Sequence, residues 1–275
     1  MINRRILVVG GAGSIGQEIV RQLAPQNKVF ILDNNETGTF DLREELRWKG
    51  YWVHSRTGDI RNDYTVFDTF SEFHPQIVIS CAALKHVTPC EEYPEEATSV
   101  NVEGTLKIVR ECKREKSFEK MVFISTDKAV RASCVMGATK KLAEVIIKTR
   151  GKGFVAVRFG NVMHSRGSVL EIWEKQFKAN EPLTITHPDM ERYIMEIPEA
   201  VKLTIQTAEK AKGGEVRVLD MGPRIKIIDL KNKIYGEKYP IRIIGIRPGE
   251  SIIEELMTEE EKKIAIKKDN VFVIK

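Results

Sequence analysis

A glycine-rich turn set between an apolar run and an amphipathic stretch does most to restrict what this 275-residue chain can fold into. Ile6–Val9 is short and mostly β-branched, and Gly10-Gly11-Ala12-Gly13-Ser14-Ile15-Gly16 follows it directly. Gly10, Gly13 and Gly16 set the spacing G-x-x-G-x-x-G, and Ile15–Leu23 continues with helical periodicity. Missing side chains at those positions permit a tight turn and close backbone approach to a pyrophosphate at a helix N-terminus. Asp33 closes the next apolar run, Val29–Leu32, about 20 residues further on, where a ribose-binding carboxylate belongs. A carboxylate there accepts from ribose hydroxyls and repels a 2′-phosphate, so NAD is expected in preference to NADP. Gly58-Asp59-Ile60 reads either as an adenine contact or as an ordinary strand-end turn. Ala82 and Ala83, after Cys81, supply small residues where a backbone must pass close to the dinucleotide, although small residues also pack cores.

The rest of the chain agrees with such a start. Ile77–Cys81, Val122–Ser125 and Val155–Phe159 are further apolar runs with the character of strands buried on both faces, and Tyr51–Val53 is a weaker one. Between them lie helical patterns at Tyr64–Phe73, Ala97–Lys116 and Val135–Lys148. Strand–helix alternation predicts an α/β, Rossmann-like, doubly wound parallel sheet. After Gly160 helical patterns at Leu170–Ala179 and Pro198–Ala211 mix with short strands at Leu183–Thr186, Val216–Leu219 and Ile241–Ile244. This predicts a dinucleotide-binding domain over 1–160 and a smaller, interleaved α/β substrate lobe over 161–275. Thr258–Lys268 reads as a charged, solvated helix.

Composition excludes several classes. Net charge is +5 without a concentrated basic block, so nucleic acid is not an expected partner. No apolar run reaches the ~20 residues of a membrane-spanning helix, and the opening residues do not read as a signal peptide. Cys81, Cys90, Cys112 and Cys134 are widely spaced, which fits reduced thiols better than a zinc or disulfide framework. A cytoplasmic location is expected.

Eight further motifs carry a resemblance. They are Ala82-Ala83-Leu84-Lys85-His86-Val87, Asn101-Val102-Glu103-Gly104-Thr105, Ser125-Thr126-Asp127-Lys128-Ala129-Val130, Met136-Gly137-Ala138-Thr139-Lys140, Arg158-Phe159-Gly160-Asn161-Val162, Ser165-Arg166-Gly167-Ser168-Val169, Thr186-His187-Pro188-Asp189-Met190 and Arg247-Pro248-Gly249-Glu250. In this order, over nearly the whole chain, they resemble the extended short-chain dehydrogenases/reductases, and within them the UDP-N-acetylglucosamine 4,6-dehydratases of polysaccharide biosynthesis. Membrane-anchored members carry an N-terminal spanning region, and this chain reads as a stand-alone catalytic domain. The resemblance also implies a homo-oligomer associating through Ala97–Lys116 and Val135–Lys148.

In the superfamily a Tyr four residues before a Lys does the proton chemistry, and that spacing puts both side chains on one helix face. Here Met136 holds the Tyr position and Lys140 is kept. A thioether cannot donate a proton; the dehydratase family carries this Met form as a recurring variant. Proton work is then expected of Thr126, Asp127 and Lys128, at the end of the fifth strand. Lys128 as base requires a pKa well below the usual lysine value, toward which Lys140 and a positive nicotinamide push while Asp127 opposes. Lys140 is expected on the nicotinamide ribose.

For a UDP-sugar, the resemblance places Arg166, Arg192, Arg247, Asn161 and Glu250 at the nucleotide-sugar contacts, with Lys85 and His86 along the sugar pocket. His187 and Asp189 have no third partner at metal-ligand spacing, so no metal is expected. Arg131-Ala132-Ser133-Cys134, His164 and Ser251 depart from the family pattern, which bears on the sugar and on the C5 stereochemistry. Two other readings stay open: a nucleotide-sugar 4-epimerase on the same fold, and a catalytically silent NAD-binding regulator, which Met136 favours.

Overall fold

The computed structural model describes residues 1–275. Its strands are β1 (Arg5–Val9), β2 (Lys28–Asp33), β3 (His54–Thr57), β4 (Ile77–Ser80), β5 (Lys120–Thr126), β6 (Phe154–Phe159), β7 (Asn161–Val162), β8 (Leu183–Ile185), β9 (Glu191–Arg192), β10 (Ile194–Met195), β11 (Glu215–Leu219), β12 (Ile225–Lys226), β13 (Ile241–Ile243), β14 (Ile266–Lys268) and β15 (Val271–Ile274). The α-helices are α1 (Ser14–Leu23), α2 (Glu36–Trp48), α3 (Asp63–Phe73), α4 (Val87–Glu92), α5 (Pro94–Thr98), α6 (Thr105–Arg114), α7 (Val135–Thr149), α8 (Val169–Lys178), α9 (Ile197–Lys210), α10 (Ile227–Tyr235) and α11 (Glu259–Ile264).

Nine strands form one sheet in the order β14-β15-β11-β6-β5-β4-β1-β2-β3. From β3 to β11 every pairing is parallel, and β15 and β14 then add in antiparallel fashion. Ile6, Leu7, Val8 and Val9 of β1 are fully buried, as β-branched strands covered by helices on both faces should be. Strand order reverses between β1 and β4, the switch point where open α/β sheets bind ligands outside the carboxyl ends of their strands. The α/β, Rossmann-like class expected from the sequence is the one observed.

Three element boundaries differ from expectation. The third strand is His54–Thr57, registered Phe30 to His54 through Asp33 to Thr57, and not Tyr51–Val53. An edge strand needs little apolar content: Arg56 reaches over to Asp68 and Glu72 of α3. The stretch read as one helix, Ala97–Lys116, is α5, then a π-helical turn at Ser99–Gly104, then α6. The tail read as a helix to Lys268 is helical only over α11, where Thr258 and Glu261 form a capping box, and then pairs as β14. β14 carries exposed side chains because it is the sheet's other edge.

Residues beyond 160 therefore serve two layers. β11, β14 and β15 complete the main sheet, and α9 packs against α1. Helices α8 and α10 with β8 form a separate small core of Leu170, Trp173, Leu183, Ile185, Met190, Ile227 and Leu230, while Met195 of β10 belongs to the main one.

Candidate active site

The ends of β1 to β4 open into a cleft of about 310 Å³, within the range of small-molecule sites. Gly10, Gly13, Asp33, Asp59, Ile60, Ala82, Ala83 and Arg166 all line it, with Arg61 and Glu96 at one end. Gly10 takes φ +77°, and a Cβ there would lie 2.5 Å from the Ala82 nitrogen. A Cβ on Gly16 would lie 2.1 Å from the Gly10 carbonyl, so that glycine is demanded by the protein's own packing. Gly13 is different: its Cβ would approach nothing closer than 3.4 Å. The protein gives no internal reason for glycine at 13, and the open side belongs to the cleft. Helix α1 starts on Gly13 with no side-chain cap, leaving first-turn N–H groups without helical partners for an anion. Ser14 opens α1, and Ile15 packs against the main core.

Asp33 fixes this loop. The Ala12 N–H donates to its Oδ2 and the Asn35 N–H to its Oδ1, both at 2.8 Å. Asp59 is clamped by Arg61, whose Nη2 lies 2.7 Å away and whose other arm reaches Glu96. Ile60 is buried against Gly104, beneath the π-helical turn. That turn carries Asn101, which is 1% exposed. It accepts from the Leu84 N–H at 2.8 Å and donates to the Leu84 carbonyl and to Thr139, so it pins the Ala82-Ala83 loop to α7.

A second cluster sits one strand further on, where β5 ends level with β6, Thr126 opposite Phe159. Thr126 donates its hydroxyl to Asp127 Oδ1 at 2.9 Å. Lys128 Nζ donates to Asp127 Oδ1 at 3.2 Å, Asn161 Oδ1 at 3.3 Å and Glu254 Oε2 at 2.8 Å. Asp127 is almost fully buried; its Oδ2 accepts from no N–H or hydroxyl of the fold, but the Glu254 carboxyl stands within hydrogen-bonding reach of the Asp127 carboxylate. Oδ2 lies 2.9 Å from where a Cβ on Gly160 would be, so the glycine makes its room.

The electrostatics overturn one expectation. Burial disfavours the Lys128 ammonium, but Asp127 and Glu254 outweigh it, and its pKa stands above the usual lysine value instead of below. Lys140 does not contribute, because its Nζ is turned to the Ile124 carbonyl and lies 4.0 Å over the Phe123 ring. Burial lowers Lys140 itself to about 8. Burial also raises Asp127, but Lys128 and the surrounding hydrogen bonds more than offset this and hold its carboxyl low. Glu254 is raised to about 7, by burial first and against the pull of Lys128.

Met136 is buried with Cys90, Ala97 and Cys134, an apolar setting. Arg192 is not free for a phosphate: its guanidinium donates to the carbonyls of Glu191, Ile252 and Ser251 at 2.7–2.9 Å. Its Nε lies 3.4 Å from Glu254. Arg166 is exposed and lines the cleft at the strand ends, its N–H donating to Ser14 Oγ at 3.0 Å and its carbonyl accepting from Lys85. The His86 ring packs over Gly167. Glu250 accepts from the Arg247 N–H and so closes the turn Arg247-Pro248-Gly249-Glu250, leaving the exposed Arg247 guanidinium unpaired. Sequence reasoning passed over Glu254 and Arg61. Neither stands in a motif of its own; only the fold brings Glu254 to Lys128, whereas Arg61 stands two residues after Asp59 in the chain.

A doubly wound sheet with this glycine-rich turn, this acid on β2 and this cluster after β5 defines an extended short-chain dehydrogenase/reductase. The chain belongs to the polysaccharide biosynthesis protein family, whose pattern matches residues 6–275. It is 44% identical to the capsular polysaccharide biosynthesis protein CapD of Staphylococcus aureus over 95% of this chain. It is 43% identical to the probable polysaccharide biosynthesis protein EpsC of Bacillus subtilis over 94%. The chain spans about half the length of these two relatives, 46% of each. A UDP-glucose 4-epimerase of Rickettsia bellii is 32% identical over 94% of this chain and 79% of its own length. Among solved structures, Pen from Bacillus thuringiensis superposes with a TM-score of 0.91 at 36% identity, covering 99% of this chain and 88% of Pen.

Proposed function

We propose that this chain is a nucleotide-sugar 4,6-dehydratase that converts UDP-N-acetylglucosamine to UDP-4-keto-6-deoxy-N-acetylhexosamine with NAD, in surface glycan synthesis. One observation carries the reading: Asp127 and Lys128 form a buried acid–base pair after β5, while Met136, which can move no proton, lies in an apolar cluster of its own. Dehydration needs such a pair, whereas a 4-epimerase of this fold relies on the missing Tyr and a silent sensor needs neither.

The residues of the cofactor cleft fit NAD, on the open side of Gly13 and the two carboxylate oxygens of Asp33. The α1 N-terminus would hold the pyrophosphate, Asp33 the adenosine ribose and Lys140 the nicotinamide ribose. Bound NAD supplies reversible hydride transfer, from C4 and back to C6. Asp127, held low and ionised, takes the C4 hydroxyl proton through Thr126 and later returns a proton to the leaving C6 hydroxyl. Lys128 removes the C5 proton. Arg247 and Arg166 are the cations left for substrate phosphates, since Arg192 is spent on carbonyls.

The test is incubation with UDP-N-acetylglucosamine followed by proton NMR. A new 6-deoxy methyl signal is expected, and its ring couplings assign C5. The 32% identity to a UDP-glucose 4-epimerase gives the rival reading its standing; a 4-epimer without a methyl signal would replace ours. Lys128→Ala is expected to abolish turnover with UDP binding kept, and near-normal turnover would remove Lys128 from its role.

A further inference from the structure

Lys128 faces a difficulty that the site itself contains. A base must be an amine, yet two carboxylates stand within 3.2 Å of its Nζ and favour the ammonium. We infer that Glu254 is a positioning residue that takes a proton from Lys128 and so releases it to act as base; the inference rests on the dehydratase reading above.

Three features of the placement support it. Glu254 Oε2 makes the shortest contact to Lys128 Nζ, at 2.8 Å, compared with 3.2 Å for Asp127. Glu254 is 7% exposed, so a proton passed to it is not lost at once to water. Its segment has no regular structure, yet it is fastened on both sides. Arg192, itself 5% exposed, grips the Ser251 and Ile252 carbonyls, and fully buried Arg158 grips that of Leu256 at 2.9 Å. Two buried arginines spent on carbonyls flanking one glutamate hold that glutamate against the lysine.

The step balances. An Nζ–H bond of Lys128 breaks and an Oε2–H bond of Glu254 forms, turning ammonium and carboxylate into amine and acid with no change in net charge. The amine lone pair then takes the C5 proton, acidified by the adjacent C4 ketone. Once hydride has returned to C6, Lys128 gives the proton back to C5 and regains its own from Glu254 across the 2.8 Å contact, so the pair ends as ammonium and carboxylate. The groups facing Glu254 are Lys128, Asp127 and Arg192, with Cys134 in the field of Lys128 and Glu254 and Arg224 reaching the Glu254 carbonyl. Burial raises the Glu254 carboxyl to about 7 and so narrows its gap to Lys128, whose ammonium remains the favoured form, and the acidified C5 proton draws on the minor amine. Only ionised Glu254 can accept, so turnover should rise with pH through that region.

The experiment is a pH profile of 6-deoxy product formation for wild type, Glu254→Gln and Glu254→Asp. Glu254→Gln keeps an acceptor oxygen for Lys128 but cannot take a proton. We expect kcat roughly 100-fold lower, KM within about twofold, and the rise through neutral pH gone. Glu254→Asp should keep that rise at reduced rate. A Glu254→Gln enzyme with wild-type kcat and an unaltered profile overturns the inference and leaves the dehydratase reading intact. Wild type making no 6-deoxy product overturns the reading itself. Should Glu254→Gln fail to bind UDP, Glu254→Asp decides, and a flat profile there also overturns the inference.

Discussion

Lys140 is 6% exposed and exchanges water for one carbonyl and the face of Phe123. Its pKa falls from 10.5 to about 8 in the fold because burial disfavours the ammonium. Between those values the unfolded chain binds more protons, so stability gains from this group as pH rises across the window and is insensitive to it below. The full swing is on the order of 3 kcal/mol. Urea unfolding of wild type against Lys140→Met, below and above the window, should show wild type gaining on the variant as pH rises. An unchanged difference would mean that Lys140 is not desolvated as described. Gly16 is required by packing and Gly13 is not, which the proposed cofactor would explain. Gly16→Ala forces a Cβ onto the Gly10 carbonyl and should cost ~1–3 kcal/mol of stability. Gly13→Ala meets no such atom and should stay within about 1 kcal/mol of wild type. It should nonetheless weaken NAD by roughly tenfold in a titration. NAD affinity equal to wild type in Gly13→Ala would remove the glycine loop from the cofactor site.

Among the elements, α7 carries Met136 and Lys140, and a buried ion pair ties it to the sheet. Arg158 of β6 is fully buried and donates to Glu144 of α7 at 2.5 Å and 3.1 Å, while its other nitrogen holds Glu261 of α11 at 2.7 Å. Ser125, one residue before the proton cluster, donates to the same Glu144 at 2.7 Å. Removing one partner of a buried pair strands the other's charge, so Glu144→Ala should cost ~3–5 kcal/mol. Thermal or urea unfolding checks this, and a loss below about 1 kcal/mol would show that Glu261 alone satisfies Arg158. The π-helical turn between α5 and α6 is a comparable device. It turns Asn101 inward to the Leu84 backbone, where an uninterrupted helix would have continued past it.

At the scale of the molecule, the outer faces of α6 and α7 leave Leu106, Leu142 and Val145 exposed. Apolar side chains clustered on two packed helices suit a second copy of the same face, the association that the sequence resemblance implies. A dimer or larger assembly is expected in light scattering, and Leu142→Glu should shift it toward monomer. A wild-type chain that is monomeric at micromolar concentration would exclude this face as the interface. The proposed proton cluster is assembled from Asp127 and Lys128 in the turn after β5, Asn161 of β7 and Glu254 of the segment before α11.

Five of the sheet's first six strands were legible in the sequence, because fully buried parallel strands must be apolar and their turns must hold glycine or small residues; β3 was misplaced at Tyr51–Val53 because His54–Thr57 is a polar edge strand. The sequence also located Gly10, Gly13, Gly16 and Asp33, since those contacts are made within one β–α–β unit and their spacing is local. The break of Ala97–Lys116 was not legible, because a π-turn keeps helical composition and differs only in which face Asn101 presents. β14 was hidden because an exposed edge strand looks like any charged stretch. Only the tertiary structure decided the charge state of Lys128 and the occupation of Arg192. The first depends on Glu254, 126 residues from Lys128 in the chain, together with adjacent Asp127, and the second on the distant Ser251 and Ile252 carbonyls. A pKa is set by every charge within a few ångströms, and sequence distance says nothing about which charges those are.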